Sequence, residues 1–463
     1  MLLARKLQIE VTEEQCCYFS HMCYAASKLW NLCNYEKYNW KELGLEEFPN
    51  WYYQKKKWKN NFWYKLLPSQ TAQEVCKVLD KSWKSYNSLT KKKGIKNHKP
   101  PSNKKMPMPI TYMQNGLKHN GDTIRLSLPI TLKQMVKESN GIDENFIYLQ
   151  HKVFNQVSNI KQLMIFQPQN GRCDVVLNYE IEEPKLLPDN GRYLAIDLGI
   201  HNLATCYDST NSKTFIVGRE YLAINHYFHK EIAKAQSALA KKSALAKVQS
   251  VPQGYILDGR CVSLDHGSAA TVSTESRLSS DHISALAKQS QYTSKRLKNL
   301  HKKRNNSIQD YLHKLTKFIT NYCVENEINT VIMGDLTGIK NRITNRDKKY
   351  NQNKKYNQKL HELPYEKIRV LLKYKLACKG VNFVLQNECY TSQCAPNTPS
   401  VERKYANKSN RVQRGLYVSE GNIYNADAVG AYNILRKYCD EHDIKKTFSI
   451  KGLTSVKVFK IKR

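Results

Sequence analysis

The chain has 463 residues, room for two or three domains, and its 74 Lys and Arg against 40 Asp and Glu leave a formal charge of +34. That excess points away from basic partners and toward a polyanion, since each neutralised phosphate releases counterions, although a merely solvated basic surface has the same composition. The 13 cysteines are odd in number and form no C-x-x-C pair, no stretch reaches the ~18 apolar residues of a membrane span, and Met1–Lys6 lacks a secretory core. These features predict a soluble protein of a reducing cytoplasm, associated with the nucleoid and not secreted, whose 29 Tyr and 6 Trp suit stacking on unpaired bases; a monomer is favoured, with the oligomeric state left open by the sequence.

In chain order, residues 2–11 alternate as a strand and Thr12-Glu-Glu-Gln15 reads as a capping box opening a helix. Met22, Ala26, Leu29, Trp30 and Cys33 recur at helical spacing. A further helix begins near Ser69 with Val75, Leu79, Trp83 and Tyr86 on one side, completing a helical region over about 13–90. Between them, Trp51-Tyr-Tyr-Gln-Lys-Lys-Lys-Trp58 interleaves lysines and aromatics, a pattern shared by nucleic-acid surfaces and by ordinary packing beside solvated charge. A basic loop at 90–110 follows, and then short alternating runs over 110–185, which predict strands completing a barrel-like body with the first strand. Pro184 and Pro188-Asp-Asn-Gly191 mark the end of a first domain, 1–190.

The second domain, 191–463, has strand signals at 193–197, 203–207, 213–217, 329–334 and 382–387, with helices between the last three. Three meandering strands followed by helix-linked ones is the RNase H order, an α/β fold with a mixed sheet whose first strand is central. The lysine-free segment 248–281, flanked by copies of Ser-Ala-Leu-Ala-Lys at 237–241, 243–247 and 284–288, reads as a surface insertion ill suited to gripping phosphates.

Asp197 ends the apolar run Tyr193-Leu-Ala-Ile196, where a nuclease of this order carries a metal ligand. Hydrolysing a phosphodiester with two divalent cations takes three or four carboxylates converging on ions about 4 Å apart. Asp427 lies near the start of Asn425-Ala-Asp-Ala-Val-Gly-Ala431, a helix whose Ala426, Ala428 and Gly430 permit close approach to a sheet, though an Asp at a helix start is more often a cap.

Asp197-Leu-Gly-Ile-His-Asn-Leu-Ala-Thr205, Gly334-Asp-Leu-Thr-Gly-Ile339, Tyr390-Thr-Ser-Gln393 and Asn425-Ala-Asp427, in this order, closely resemble the TnpB proteins of insertion sequences, relatives of the type V CRISPR nucleases. The N-terminal part, with Lys99-Pro-Pro101 and Asn115–Gly121, is similar to that family's wedge and helical recognition domain. The resemblance implies an RNA-guided DNA endonuclease with a RuvC domain, using Mg²⁺ or Mn²⁺, a guide RNA from the element's end, and double-stranded target DNA beside a short motif.

Two departures from the family pattern stand out. Gly334-Asp335-Leu336 replaces Glu-Asp-Leu, so the expected catalytic Glu is missing, and strand alternation turns Asp335 away from the face of Gly334. Glu388, at the end of the neighbouring strand, is the expected replacement. The catalytic and metal-binding set is then Asp197, Glu388 and Asp427, with Asp335 and Arg436 as possible supports. The alternative, that Glu388 is an ordinary strand-end charge, would make the chain a nuclease-inactive, RNA-guided repressor; a guide-independent nuclease or DNA-joining transposase is a further rival.

The second departure is the family's zinc ribbon, reduced to Cys394 alone, which predicts a zinc-free insertion at 393–424 whose Arg403, Lys404, Lys408, Arg411 and Arg414 guide DNA. For reading the DNA motif, Gln70, Thr71, Gln73 and Lys77 at the opening of the second long helix are the candidates, because amides pair well with adenine.

Overall fold

The structure, a computed structural model, describes residues 1–91, 98–249, 294–337, 362–413 and 415–461. Residues 250–281 of the lysine-free segment, the repeat copy at 284–288, Lys92, Lys93, Gly338, Ile339 and Arg414 lie outside the described residues. The chain forms two compact units, Met1–Glu183 and Pro184–Arg463. The division falls seven residues before the expected one because 184–190 is tied to the second unit: the Leu187 amide donates to the Gly380 carbonyl at 2.8 Å, and Tyr193 donates to Asp189 at 2.9 Å.

In the first unit, β1 (Leu2–Glu10) leads through the predicted Thr12/Gln15 capping box into α1 (Glu13–Tyr38). Asn50 and Asn61 cap the short helices α2 (Trp51–Lys57) and α3 (Phe62–Lys65), and α4 spans Ser69–Lys91. β2 (Ile110–Met113), β3 (Leu117–Asn120), β4 (Thr123–Ser127), α5 (Ile130–Asn140), β5 (Phe146–Gln150), β6 (Ile160–Ile165) and β7 (Arg172–Glu180) follow. Among the described residues the strands do not join into one barrel: they pair as two antiparallel sheets, β1-β7-β6-β2 and β3-β4-β5. Alternation in a sequence identifies the apolar face of each strand but not which edges meet. One core unites the unit, and Met22, Leu29, Trp30 and Cys33 of α1 pack in it with Val75, Leu79 and Trp83 of α4.

The second unit is a six-stranded mixed sheet in the order β12-β11-β8-β9-β10-β15. Its elements are β8 (Tyr193–Asp197), β9 (Ala204–Asp208), β10 (Lys213–Val217), α6 (Glu220–Gln249), α7 (Lys295–Glu325), β11 (Thr330–Asp335), α8 (Tyr365–Ala377), β12 (Asn382–Asn387), the hairpin β13 (Leu416–Ser419) and β14 (Asn422–Asn425), α9 (Ala426–Glu441) and β15 (Val456–Phe459). As the strand signals predict, β8 is central, antiparallel to β9 and parallel to β11, which is in turn parallel to β12. The edge strand β15, parallel to β10, gave no sequence signal strong enough to read.

Both faces of the sheet are buried. Leu194 and Ile196 of β8, with Val331 and Met333 of β11, pack toward α6, α7 and α8. Tyr193 and Ala195, with Ile332, pack toward α9. Asp197 and Gly334 continue the second series, so the two-residue period of the strands aims both positions at α9.

Candidate active site

Asp197 lies where β8 runs out of apolar sequence, and α9 crosses directly over it. A Cβ on Gly430 would sit 2.6 Å from Asp197 Oδ2, so only glycine lets the helix pass this close. Gly430→Ala must therefore push either the helix or the carboxylate aside. For the nuclease activity that the family resemblance implies, the expected result is a loss of about a hundredfold with a fall in Tm of only a few degrees, measured as cleavage rate and thermal unfolding.

Glu388 follows β12 and belongs to the same face as Gln386, which is in register with Gly334 of β11. Its side chain folds back across the neighbouring strand: a Cβ on Gly334 would lie 1.8 Å from Glu388 Oε1 and 2.5 Å from its Cδ. The carboxylate thus fills the space that a side chain at 334 would occupy. Glu388 Oε1 is buried and has no hydrogen-bond partner.

Asp427 opens α9 but does not cap it. Asn425 does, its Oδ1 accepting from the amides of Asp427 and Ala428 at 3.1 and 3.0 Å, which leaves the Asp427 carboxylate free to face the cleft. Asn202 Nδ2 donates to Asp427 Oδ2 at 2.7 Å, and Arg411 Nη2 lies 3.1 Å from Oδ1. The three carboxylates share one cleft of about 660 Å³, with Asn202, Arg219, Thr391, Ser392 and Arg411 also on its walls.

Enclosure and crowding of negative charge hold two of these groups near neutrality. Burial, then the Asp427 carboxylate, raises Asp197 to about 7, while Arg411 pulls the other way. Burial, then Asp197 and Asp335, raises Glu388 to about 8. Among the described residues no three Asp, Glu, His or Cys side chains close around a point as a finished cage, and Asp427 is turned to Asn202 and Arg411. The donor set nevertheless fits a hard divalent cation. It supplies carboxylate oxygens only, one of them buried without a partner, in a cleft with room for the waters that Mg²⁺ retains.

Asp335 and Arg436 are committed elsewhere. Asp335, on the face away from Gly334, accepts from the Thr337 amide at 2.8 Å and from Tyr365 at 3.0 Å, so it acts on the cleft only as a nearby charge. Arg436 does not face the cleft. It donates to Asn433 Oδ1 and to the carbonyls of Ala395 and Thr398, since nine residues beyond Asp427 along α9 it meets the chain entering the 393–424 insertion. That insertion is held by side chains of α9 and its own hairpin: Asn433 donates to the Thr391 and Cys394 carbonyls at 2.8 Å, and Tyr417 to the Gln393 carbonyl at 3.0 Å. The β13–β14 turn, Glu420-Gly421, has φ of 49° and 74°, the double left-handed geometry of a two-residue hairpin loop.

The first unit has its own concavity of about 400 Å³, lined by Trp51, Gln70, Gln73, Lys77, Gln114 and Lys161 among others. Thr71 is not part of it. Its side chain is buried and donates to the Thr111 carbonyl at 2.9 Å, so a polar residue at the helix opening serves the packing of α4 on β2.

Sequence reasoning missed Asn202 and Arg219. The only trace of Asn202 was its place in the run that follows Asp197, and Arg219 carried no signal.

A family model described as OrfB_IS605, probable transposase, matches residues 176–250 and 268–340, and a second, the Cas12f1-like TNB domain, matches 365–434. No curated protein matches the chain significantly. Among solved structures, a Cas12f1–sgRNA–target DNA complex aligns at TM-score 0.56 and 13% identity over 91% of this chain and 83% of that one. C2c1 of Alicyclobacillus acidoterrestris in complex with single-guide RNA aligns at only 0.38 and 10% identity over 83% and 62% of the two chains, too weakly to carry an argument. The chain thus resembles the OrfB_IS605 probable transposases over 176–250 and 268–340 and the Cas12f1-like TNB domain over 365–434, and it shares its fold with the solved Cas12f1.

Proposed function

We propose that this protein is an RNA-guided DNA endonuclease whose RuvC-type site uses Asp197, Glu388 and Asp427. The observation that carries this reading is the Glu388 carboxylate lying in the space above Gly334, on the face shared with Asp197 and under α9. A chain that had simply lost its catalytic Glu has no reason to bury an unpartnered carboxylate there, because such burial is costly without a counter-ion.

Asp197, Glu388 and Asp427 would hold Mg²⁺ or Mn²⁺, which when bound polarises the phosphate and acidifies water at neutral pH. The chain's own residues then position the strand. Arg411 reaches from the insertion to Asp427 and offers its guanidinium to the phosphate that displaces it. The concavity of Gln70, Gln73 and Lys77 in the first unit suits reading of a short DNA motif, with Trp51 offering a ring face. The net charge of +34 suits the guide RNA and target DNA that the solved relative binds.

Arg411→Ala is expected to slow cleavage about a hundredfold, the scale of losing one charged donor at a reacting phosphate. Binding of target DNA by the complex should change less than threefold, as measured by single-turnover cleavage and by filter binding.

The RNA that copurifies tests the reading as a whole. One defined RNA species with a constant portion and a variable end is expected, whereas a protein free of defined RNA yet active on DNA would point to a guide-independent nuclease or transposase.

A further inference from the structure

We propose that Arg219 and Asn202 form a relay that couples the grip on a backbone phosphate to the orientation of the Asp427 carboxylate. The proposal rests on the endonuclease reading above and deepens it. Arg219 Nε donates to Asn202 Oδ1 at 2.9 Å, and Asn202 Nδ2 donates to Asp427 Oδ2 at 2.7 Å. The polarity of the chain is fixed at both ends: a guanidinium only donates and a carboxylate only accepts, so the amide between them has one orientation.

Both members are held by the backbone. Asn202 closes the turn after β8, where the Gly199 amide donates to the Asn202 carbonyl at 3.1 Å and a Cβ on Gly199 would lie 2.8 Å from that oxygen. Arg219 follows Gly218, whose φ of +95° and close approach to Leu203 and Leu315, 2.6 and 2.8 Å from a Cβ built there, set the direction in which the chain leaves β10. The same sequence features that place Asp197 therefore bring Asn202 to a helix 225 residues further on.

Arg219 is exposed on the wall of the cleft, and the bond to Asn202 uses its Nε alone. Among the described residues no carboxylate pairs with it, which leaves the terminal fork of N–H groups to face whatever enters. That fork matches two phosphate oxygens in a way an ammonium does not. A phosphate docked on it immobilises the guanidinium, hence the Asn202 amide, hence the carboxylate that must turn from Arg411 to a metal. Partners that orient a metal-binding side chain commonly affect affinity by ~10–100-fold when removed.

The test uses the full ribonucleoprotein as wild type, Arg219→Lys, Arg219→Ala, Asn202→Ala and the Arg219→Ala/Asn202→Ala double variant. Mn²⁺ bound at the site is measured as the difference from an Asp197→Ala complex, and single-turnover cleavage of matched DNA is followed against salt. Asn202→Ala should weaken Mn²⁺ binding about tenfold. Arg219→Ala should weaken it less, and the double variant should equal Asn202→Ala, because groups in series are not additive. Arg219→Lys, which keeps the charge and a donor but not the fork, should leave Mn²⁺ affinity near wild type. It should nonetheless slow cleavage, and of the single variants only Arg219→Ala, which removes the charge, should lower the salt slope by about one.

Unchanged Mn²⁺ affinity in Asn202→Ala, additive losses in the double variant, or wild-type cleavage by Arg219→Lys would overturn the relay. Wild-type protein that cuts no DNA would sink the endonuclease reading instead, while the Mn²⁺ titrations would still decide whether Arg219 and Asn202 act in series on Asp427.

Discussion

Glu388→Ala is expected to abolish cleavage of matched DNA in Mg²⁺, by about a thousandfold or more, while guided binding persists. The reason is geometric. Asp197 and Asp427 alone leave the side of the cleft above Gly334 bare, and no other described carboxylate lies on that face, since Asp335 points to Thr337 and Tyr365. Gly334→Glu should be as inactive as Glu388→Ala, because its first side-chain carbon would fall 1.8 Å from Glu388 Oε1. The two changes combined should recover at least about tenfold over Glu388→Ala, since the new side chain then has the vacated space and the reach of the old one. Cleavage rates of the three variants decide the matter. A double variant no better than Glu388→Ala would show that the carboxylate at 388 is not interchangeable with one at 334.

Asp197→Asn is the second change of large expected effect, and it acts in opposite directions on function and stability. Cleavage should fall by about a thousandfold or more, because the amide cannot replace an anionic ligand. The metal-free protein should become more stable at alkaline pH. Asp197 and Glu388 have folded-state pKa values raised to about 7 and about 8. A carboxyl with a raised folded pKa contributes stability that is fully present below its unfolded pKa, near 4, and is lost as pH rises through its folded one. Removing the Asp197 charge cancels that loss, so the gain in Tm with chelator present should be several degrees near pH 8 and small near pH 4.5. By the same linkage, Mg²⁺ binding at the proposed site should release protons around pH 7. Calorimetry in two buffers of different ionisation enthalpy measures the release.

Much of this site could be read from residue order. Asp197 stood out because an apolar strand ended on a carboxylate before a glycine turn, and the small residues beside Asp427 foretold close passage of a helix, which Gly430 makes literal. The candidacy of Glu388 followed from strand adjacency, since a missing side chain at 334 draws attention to the end of β12.

What escaped the sequence depends on contacts between distant segments. Nothing near Asn202 announces Asp427, and nothing near Arg219 announces Asn202; both bonds exist only once β8, β10 and α9 are assembled. Thr71 looked available because its neighbours Gln70 and Gln73 are, yet the packing of α4 on β2 turns it inward. Arg436 sits on the same helix as Asp427 but nine residues on, where the helix meets the insertion rather than the cleft. The first-unit strands alternate as expected, while their pairing into two sheets depends on edges that alternation does not specify.

The most direct measurement is programmed cutting. The guide portion of the bound RNA is replaced by a chosen sequence, and a plasmid carrying the matching site beside a randomised flank is incubated with the complex in Mg²⁺. Cleavage confined to the matching site, next to one short flanking motif, moving when the guide is changed and absent from Asp197→Asn, is the predicted result. Tight guided binding to that site without a cut at saturating Mg²⁺ or Mn²⁺ would contradict it, and would make the protein an RNA-guided repressor built on the same fold.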